Sequence, residues 1–245
     1  MKHFLTRAKR GFTLIELLVV ITIIGIMMSL ASTVLRDPGT GRTLDSGVDL
    51  LTNLVQEARA TAQGNDTYTR IVISDDPKDT SANSRHLRYM VVQMLRKNAS
   101  EQKNYDGSEV MTRGEWVSTS AGVLLPAGIF FSPTYSQPVS WAEGSGDKIG
   151  TGVARLTKNK KSRVYYFEFD EKGRYVSPST SPLTPSQPQR IVLINARIGS
   201  GKNAHDGIVP LQVDSQRRPV GARGIVLWPS GYTSLLRTRE QIFQK

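Results

Sequence analysis

The sequence predicts an α+β protein in which an N-terminal transmembrane and amphipathic helix packs on a C-terminal antiparallel β-sheet head. Three observations predict it. An apolar run at residues 12–35 carries one acid, Glu16; apolar residues then recur at helical spacing to residue 64; and short β-branched or aromatic runs, bounded by turn residues, fill the remainder.

Residues 1–11 form a basic leader. Lys2, Arg7, Lys9 and Arg10 give it four positive charges and no acid, which keeps this end in the cytoplasm by the positive-inside rule. A secretory signal shares the basic start, but its apolar stretch is only about 7–15 residues and ends in a small-residue cleavage site. Here the small residue, Gly11, comes before the apolar run. A cut after Gly11 would keep the hydrophobic helix and discard only the leader.

Phe12 to Leu35 is 24 residues, roughly 36 Å of α-helix at about 1.5 Å per residue. That spans a hydrocarbon core of roughly 30 Å with some tilt. A carboxylate in such a segment costs about 2.5–3.5 kcal/mol on insertion scales, so Glu16 is a functional residue by default.

Lys9-Arg10-Gly11, then Phe12-Thr13-Leu14-Ile15-Glu16, then the Leu/Val/Ile run together resemble the prepilin leader shared by type IV pilins and the pseudopilins of type II secretion. The resemblance implies cleavage between Gly11 and Phe12 by a membrane aspartyl peptidase, which also N-methylates Phe12. It implies that Glu16, in fifth mature position, pairs with the terminal amine of a neighbouring subunit during assembly. The implied partners are the prepilin peptidase/N-methyltransferase, other pilin or pseudopilin subunits, the inner-membrane assembly platform and the lipid bilayer. A plain single-pass anchor with a stray acid explains neither Gly11 nor Glu16.

The chain has 245 residues and no cysteine. About 210 residues beyond the span make one domain of ordinary size. The periplasm permits disulfides, so a head there is held by its core alone and lacks the disulfide-bonded loop of many type IVa pilins. Without the leader the chain has 28 Lys and Arg against 21 Asp and Glu, about +7, which suits an acidic partner: anionic lipid, an acidic subunit or nucleic acid.

Residues 36–41, Arg-Asp-Pro-Gly-Thr-Gly, predict a helix break or neck, since proline removes a hydrogen bond and clashes with the preceding turn. The exported head is then 42–245. Leu44, Val48, Leu51, Val55, Ala58 and Ala62 alternate spacings of four and three, one face of an amphipathic helix at 42–64. Strands are expected at 68–74, 87–95, 116–118, 123–125, 129–131, 163–169, 191–198 and 224–228. Hairpins are expected at Phe167–Val176 and Ile225–Leu236. The polar stretches 97–114, 142–152 and 177–189 predict surface loops.

This order of parts narrows the resemblance to the minor pseudopilins of the H type and their type IV pilus relatives. The echoing pieces are Glu57–Ala62, Leu125–Ile129, Phe169–Gly173 and Trp228–Gly231.

Nothing in the sequence supports catalysis, a cofactor or a metal. His3, His86 and His205 are scattered, and His86, between arginines, reads as solvated. Asp75, Asp76 and Asp79 are interrupted by Pro77 and Lys78 and lack calcium-loop spacing, so they read as a polar turn. Gly199–Lys202 lacks the full phosphate-loop pattern. The basic residues Lys158, Lys160, Lys161 and Arg163 abut Tyr165, Tyr166 and Phe167, and Arg217, Arg218, Arg223, Arg237 and Arg239 crowd the C-terminal end. They are candidate contacts to nucleic acid or an acidic partner; a solvated face is the plainer reading.

The function expected is a structural, minor subunit of a type II secretion pseudopilus or type IV pilus, not an enzyme. It would sit in the inner membrane with its head periplasmic or extracellular. Two alternatives stand: a DNA-binding minor pilin for DNA uptake, and a membrane-anchored exported domain that does not polymerise.

Overall fold

In the computed structural model the N-terminal apolar run is a helix, α1 (Leu14–Val34). The described residues are 14–34, 38–78, 84–96, 114–139, 149–157, 160–177, 187–199 and 206–243. The chain divides into two compact units, Met1–Gly39 and Thr40–Lys245. On α1 the side chains of 14–25 and 27 are defined. Among the described residues no helix is long and apolar enough to cross a membrane. The expected span at 12–35 is thus met, among these residues, by a shorter helix.

The second helix, α2 (Pro38–Asn65), starts within the expected neck. Proline fits a first helical turn, where its missing N–H has no partner to lose, so Pro38–Gly41 join the helix; residues 35–37 lie outside the described residues. At the other end Asp66 takes a left-handed φ of 46°, a conformation that Asn and Asp tolerate. Thr67 N–H then bonds back to the Ala62 carbonyl at 3.2 Å. Leu44, Val48, Leu51, Leu54, Val55, Ala58 and Ala62 are all buried. A Cβ on Gly47 would sit 3.1 Å from Leu193 and 3.3 Å from Ile129, so glycine lets the helix lie close to the sheet beneath it.

Among the described residues twelve strands follow: β1 (Thr69–Asp75), β2 (Tyr89–Arg96), β3 (Glu115–Ser118), β4 (Val123–Leu124), β5 (Ile129–Phe131), β6 (Gly150–Thr157), β7 (Lys160–Phe169), β8 (Tyr175–Val176), β9 (Gln189–Ile198), β10 (Ile208–Pro210), β11 (Ala222–Leu227) and β12 (Thr233–Leu236). A short α3 (Arg239–Phe243) comes last. One sheet runs β3-β2-β1-β7-β6, with β4 on β2 and β8 on β7; the other runs β10-β9-β11-β12, with β5 on β9. Every pairing is antiparallel.

The core lies between the sheets. Phe131 of β5 meets Phe167 of β7 edge-on, with centroids 6.1 Å apart, and Tyr165 at 5.8 Å. Both expected hairpins form: Glu168 pairs with Val176, and Leu227 pairs with Thr233. Strand β6 was not expected, because Gly150-Thr151-Gly152 reads as loop. It is held by pairing along β7, where the Tyr166 ring lies 3.4 Å from the Cβ position of Gly152. Strand β10 and α3 also lack a sequence signal strong enough to predict them.

Three of the segments that echo the pseudopilins meet at the end of α2. Arg59 Nε donates to the Gly173 carbonyl at 3.1 Å, and Gln63 Nε2 donates to that of Lys172 at 3.0 Å. Tyr175 N–H donates to Pro229 O at 3.0 Å. Gly231 takes φ +82°, and a Cβ there would come within 2.1 Å of Gly173 O. The left-handed turn and the close backbone approach both demand glycine.

Candidate functional site

The first candidate is α1. Leu17, Leu18, Val19 and Val20 are consecutive and each is 46–60 % exposed, and Leu14, Ile15, Ile21, Ile23, Ile24 and Met27 are exposed as well. Adjacent positions on a helix are about 100° apart, so the apolar surface runs all the way round. Thr22 turns its hydroxyl onto the Leu18 carbonyl at 2.7 Å, spending the hydroxyl on its own helix. Glu16 lies in the first turn, where the helix dipole favours a carboxylate. Gly11 and Phe12 lie outside the described residues.

The second candidate, the basic segment, is divided by strand alternation. Tyr165 and Phe167 face the core, while Tyr166 faces the other way. Burial pushes the Tyr165 hydroxyl up to about 12, with Asp206 and Asp75 adding to the effect. Arg163, 71 % exposed, donates from Nε to Asp75 Oδ2 at 2.9 Å, and this bond raises its pKa above the usual arginine value. Lys161 is exposed. Lys158 and the side chain of Lys160 lie outside the described residues.

Of the C-terminal arginines, Arg218, Arg223 and Arg239 are engaged internally, while Arg217 and Arg237 are exposed. Arg239 pairs with Asp214 at 2.5 Å, and both Arg218 and Arg239 lie over the Phe243 ring at 5.5 and 6.0 Å. Arg223 pairs with Asp45 at 3.4 Å.

Two expectations are overturned. His86 is fully buried rather than solvated, and Asp75 is 6 % exposed at the end of β1 rather than part of a polar turn. The signal for Asp75 is parity: it shares a strand face with Ile73 and Ile71, two and four residues earlier, and that face is core. His86 has no such signal, because it precedes its strand. Asp76 does lie at the turn, while Asp79 and His205 lie outside the described residues.

The Prokaryotic N-terminal methylation motif matches residues 6–32. The chain has a type IV prepilin-like N-terminus. The matched span takes in Gly11, Phe12 and Glu16, and it implies processing by prepilin peptidase and assembly with other pilins. No curated protein and no solved structure matches this chain.

Proposed function

We propose that this chain is a structural, minor subunit of a type II secretion pseudopilus or type IV pilus, closest in plan to the H-type pseudopilins. One observation carries the reading: the methylation motif falls on a helix whose described large apolar side chains are exposed all round. Such a surface suits two successive environments, the bilayer and the bundle of neighbouring subunit helices. The full apolar run, Phe12–Leu35, is the proposed inner-membrane anchor, with the leader cytoplasmic and the head exported. The head is proposed as a non-enzymatic module that shapes contacts with neighbours.

Cleavage between Gly11 and Phe12 frees an amine four residues before Glu16 in the chain. Lack of a side chain at Gly11 opens the peptide bond to the peptidase. Mass spectrometry of the protein from a peptidase-competent host should show an N-methylated Phe12 at the terminus. A membrane-embedded protein that still begins at Met1 would overturn the reading.

A further inference from the structure

The connection from β10 to β11 is a hairpin that carries apolar side chains on its outside. Val220 N–H donates to the Gln212 carbonyl at 3.0 Å and Asp214 N–H to that of Arg218 at 2.9 Å, with Val213 paired to Pro219 between them. Leu211, Val213 and Val220 are 52, 43 and 38 % exposed. Val220 stands opposite Gln212, the neighbour of Val213, and successive side chains of a strand alternate, so Val213 and Val220 point to opposite faces. The head leaves apolar surface open on both.

The hairpin is preformed. Asp214 Oδ1 accepts from the N–H groups of Gln216 and Arg218 at 2.8 Å each, and Oδ2 accepts from Arg239 at 2.5 Å. The base straddles Asn195 of β9, whose carbonyl accepts from Leu211 N–H at 3.1 Å and whose N–H donates to the Gly221 carbonyl at 2.9 Å. A surface already ordered loses little conformational freedom on binding.

Charge and position both point to the occupant. Arg217 stands near the tip with φ 59°, and Arg197 stands opposite Val209 where β9 pairs with β10. Both are exposed, and neither has an ion pair among the described residues. The two acids of residues 206–220 are engaged, Asp214 as above and Asp206 with Thr134 Oγ1 at 3.1 Å. At the base, the Cβ position of Gly221 lies 3.6 Å from Leu44 Cδ1, in the second turn of α2. Leu44 follows Leu35, the end of the apolar run, by nine residues, which reach roughly 30 Å even fully extended. A chain anchored by that run therefore keeps the hairpin base near a bilayer surface. A flat protein partner would cover one face of the hairpin and leave the other wet, whereas lipid surrounds both.

We propose that the 211–220 hairpin is a second membrane contact, a reading that rests on the anchor proposed above. Leu211, Val213 and Val220 enter the headgroup–acyl boundary of an anionic bilayer, and Arg197 and Arg217 meet its phosphates. Amphipathic elements of this kind bury their apolar side chains about 5–10 Å deep, with arginine adding attraction to anionic lipid. The head of an unassembled subunit is thereby held on the leaflet, and incorporation into a filament has to lift it off.

The chain has no cysteine, so Val213→Cys and Val220→Cys each take a single nitroxide label in the full chain. The protein is reconstituted into vesicles of phosphatidylcholine, alone or with phosphatidylglycerol, and Ile24→Cys reports on the anchor. Both hairpin labels should lose access to a water-soluble nickel chelate in the phosphatidylglycerol vesicles. They should regain it at about 1 M salt, where screening acts over roughly 3 Å. Arg197→Gln combined with Arg217→Gln should lower the ratio of docked to free head about thirtyfold, roughly a factor of five for each arginine near an anionic surface. Shielding of one hairpin label and not the other, or label–label broadening that fades as the protein is diluted in lipid, would reveal a second copy and overturn the proposal. Nickel access at Val213 and Val220 that is equal in the two lipids, with the Ile24 label buried, would overturn the docking and leave the anchor standing. An Ile24 label open to nickel would overturn both.

Discussion

Two helices of this chain use much the same apolar residues to opposite ends. In α2, apolar residues at spacings of three and four make one stripe, and Leu51, Leu54, Val55 and Ala58 are at most 3 % exposed. In α1 they are adjacent, and four in a row stand about half exposed. A stripe is satisfied by a sheet from the same chain. An apolar cylinder leaves surface that its own unit does not cover. At roughly 1.5–3 kcal/mol for each large aliphatic side chain fully buried, covering α1 would contribute as much as a small core. The contrast teaches where each helix draws its stability: α2 from its own head, and α1, on the function proposed, from lipid and then from neighbours.

The largest expected effect breaks the α1 side alone. A neighbour's Phe12 amine within about 4 Å of the Glu16 carboxylate would gain roughly 4 kcal/mol at an effective dielectric of 20, before desolvation is subtracted. If even about 1.4 kcal/mol survives, incorporation changes tenfold. Glu16→Ala or Glu16→Val should leave insertion and cleavage intact and lower the fraction found in sheared filaments about tenfold or more. Leu17→Val should be tolerated. Normal incorporation of Glu16→Ala would point to a tip position or to a plain anchor.

The next effect breaks the other side. Phe167 is fully buried between the sheets against Phe131. Phe167→Ala should destabilise the head by about 3–5 kcal/mol, read as a fall in the denaturant midpoint of the full chain in micelles. Cleavage after Gly11 should be unchanged. Loss of processing together with head stability would show that the two units are not energetically separate.

The same contrast explains what the sequence makes legible. Period-2 and period-3.6 patterns report burial, so Ile71, Ile73 and Phe167 on strands and Leu51 to Ala62 on α2 could be read directly. Turn chemistry likewise marks Asp170–Gly173 and Trp228–Gly231. Neither pattern reports which distant segments meet. The convergence of Arg59, Gly173 and Pro229 depends on contacts over more than a hundred residues, as does that of His86 and Asp206. Strand β6 was hidden because its glycines make room for Tyr166 across the sheet, a reason that lies in the partner strand. The motif around Glu16 is the reverse case. All its parts lie within a short stretch of chain, so the segment that carries the proposed function is also the most readable.

The smallest effect sharpens the comparison between two acids. Glu168 stands opposite Arg70 on the neighbouring strand, on the sheet face away from the main core. Burial raises the Glu168 carboxyl above its ordinary range, with Arg70 pulling the other way. Arg70 itself is lowered to about 10 by burial. It is held by Gln93 Oε1, 2.9 Å from Nη2, and by the Trp116 ring at 4.1 Å. A folded value above the unfolded one means that the native head holds this proton more firmly than the unfolded chain. The stability linked to it is therefore present at acid pH and lost as pH rises through the folded value. Glu168→Gln keeps the shape, removes the titration and gives up the attraction to Arg70. Its effect should stay within about 1 kcal/mol, and the variant should lose less stability than wild type as pH rises from acid to neutral. Parallel pH profiles for the two proteins would sink this reading and leave Glu168 a neutralised partner of Arg70. An acid inside the head is thus expected to alter stability slightly, whereas the acid on α1 is expected, on the function proposed, to alter assembly strongly.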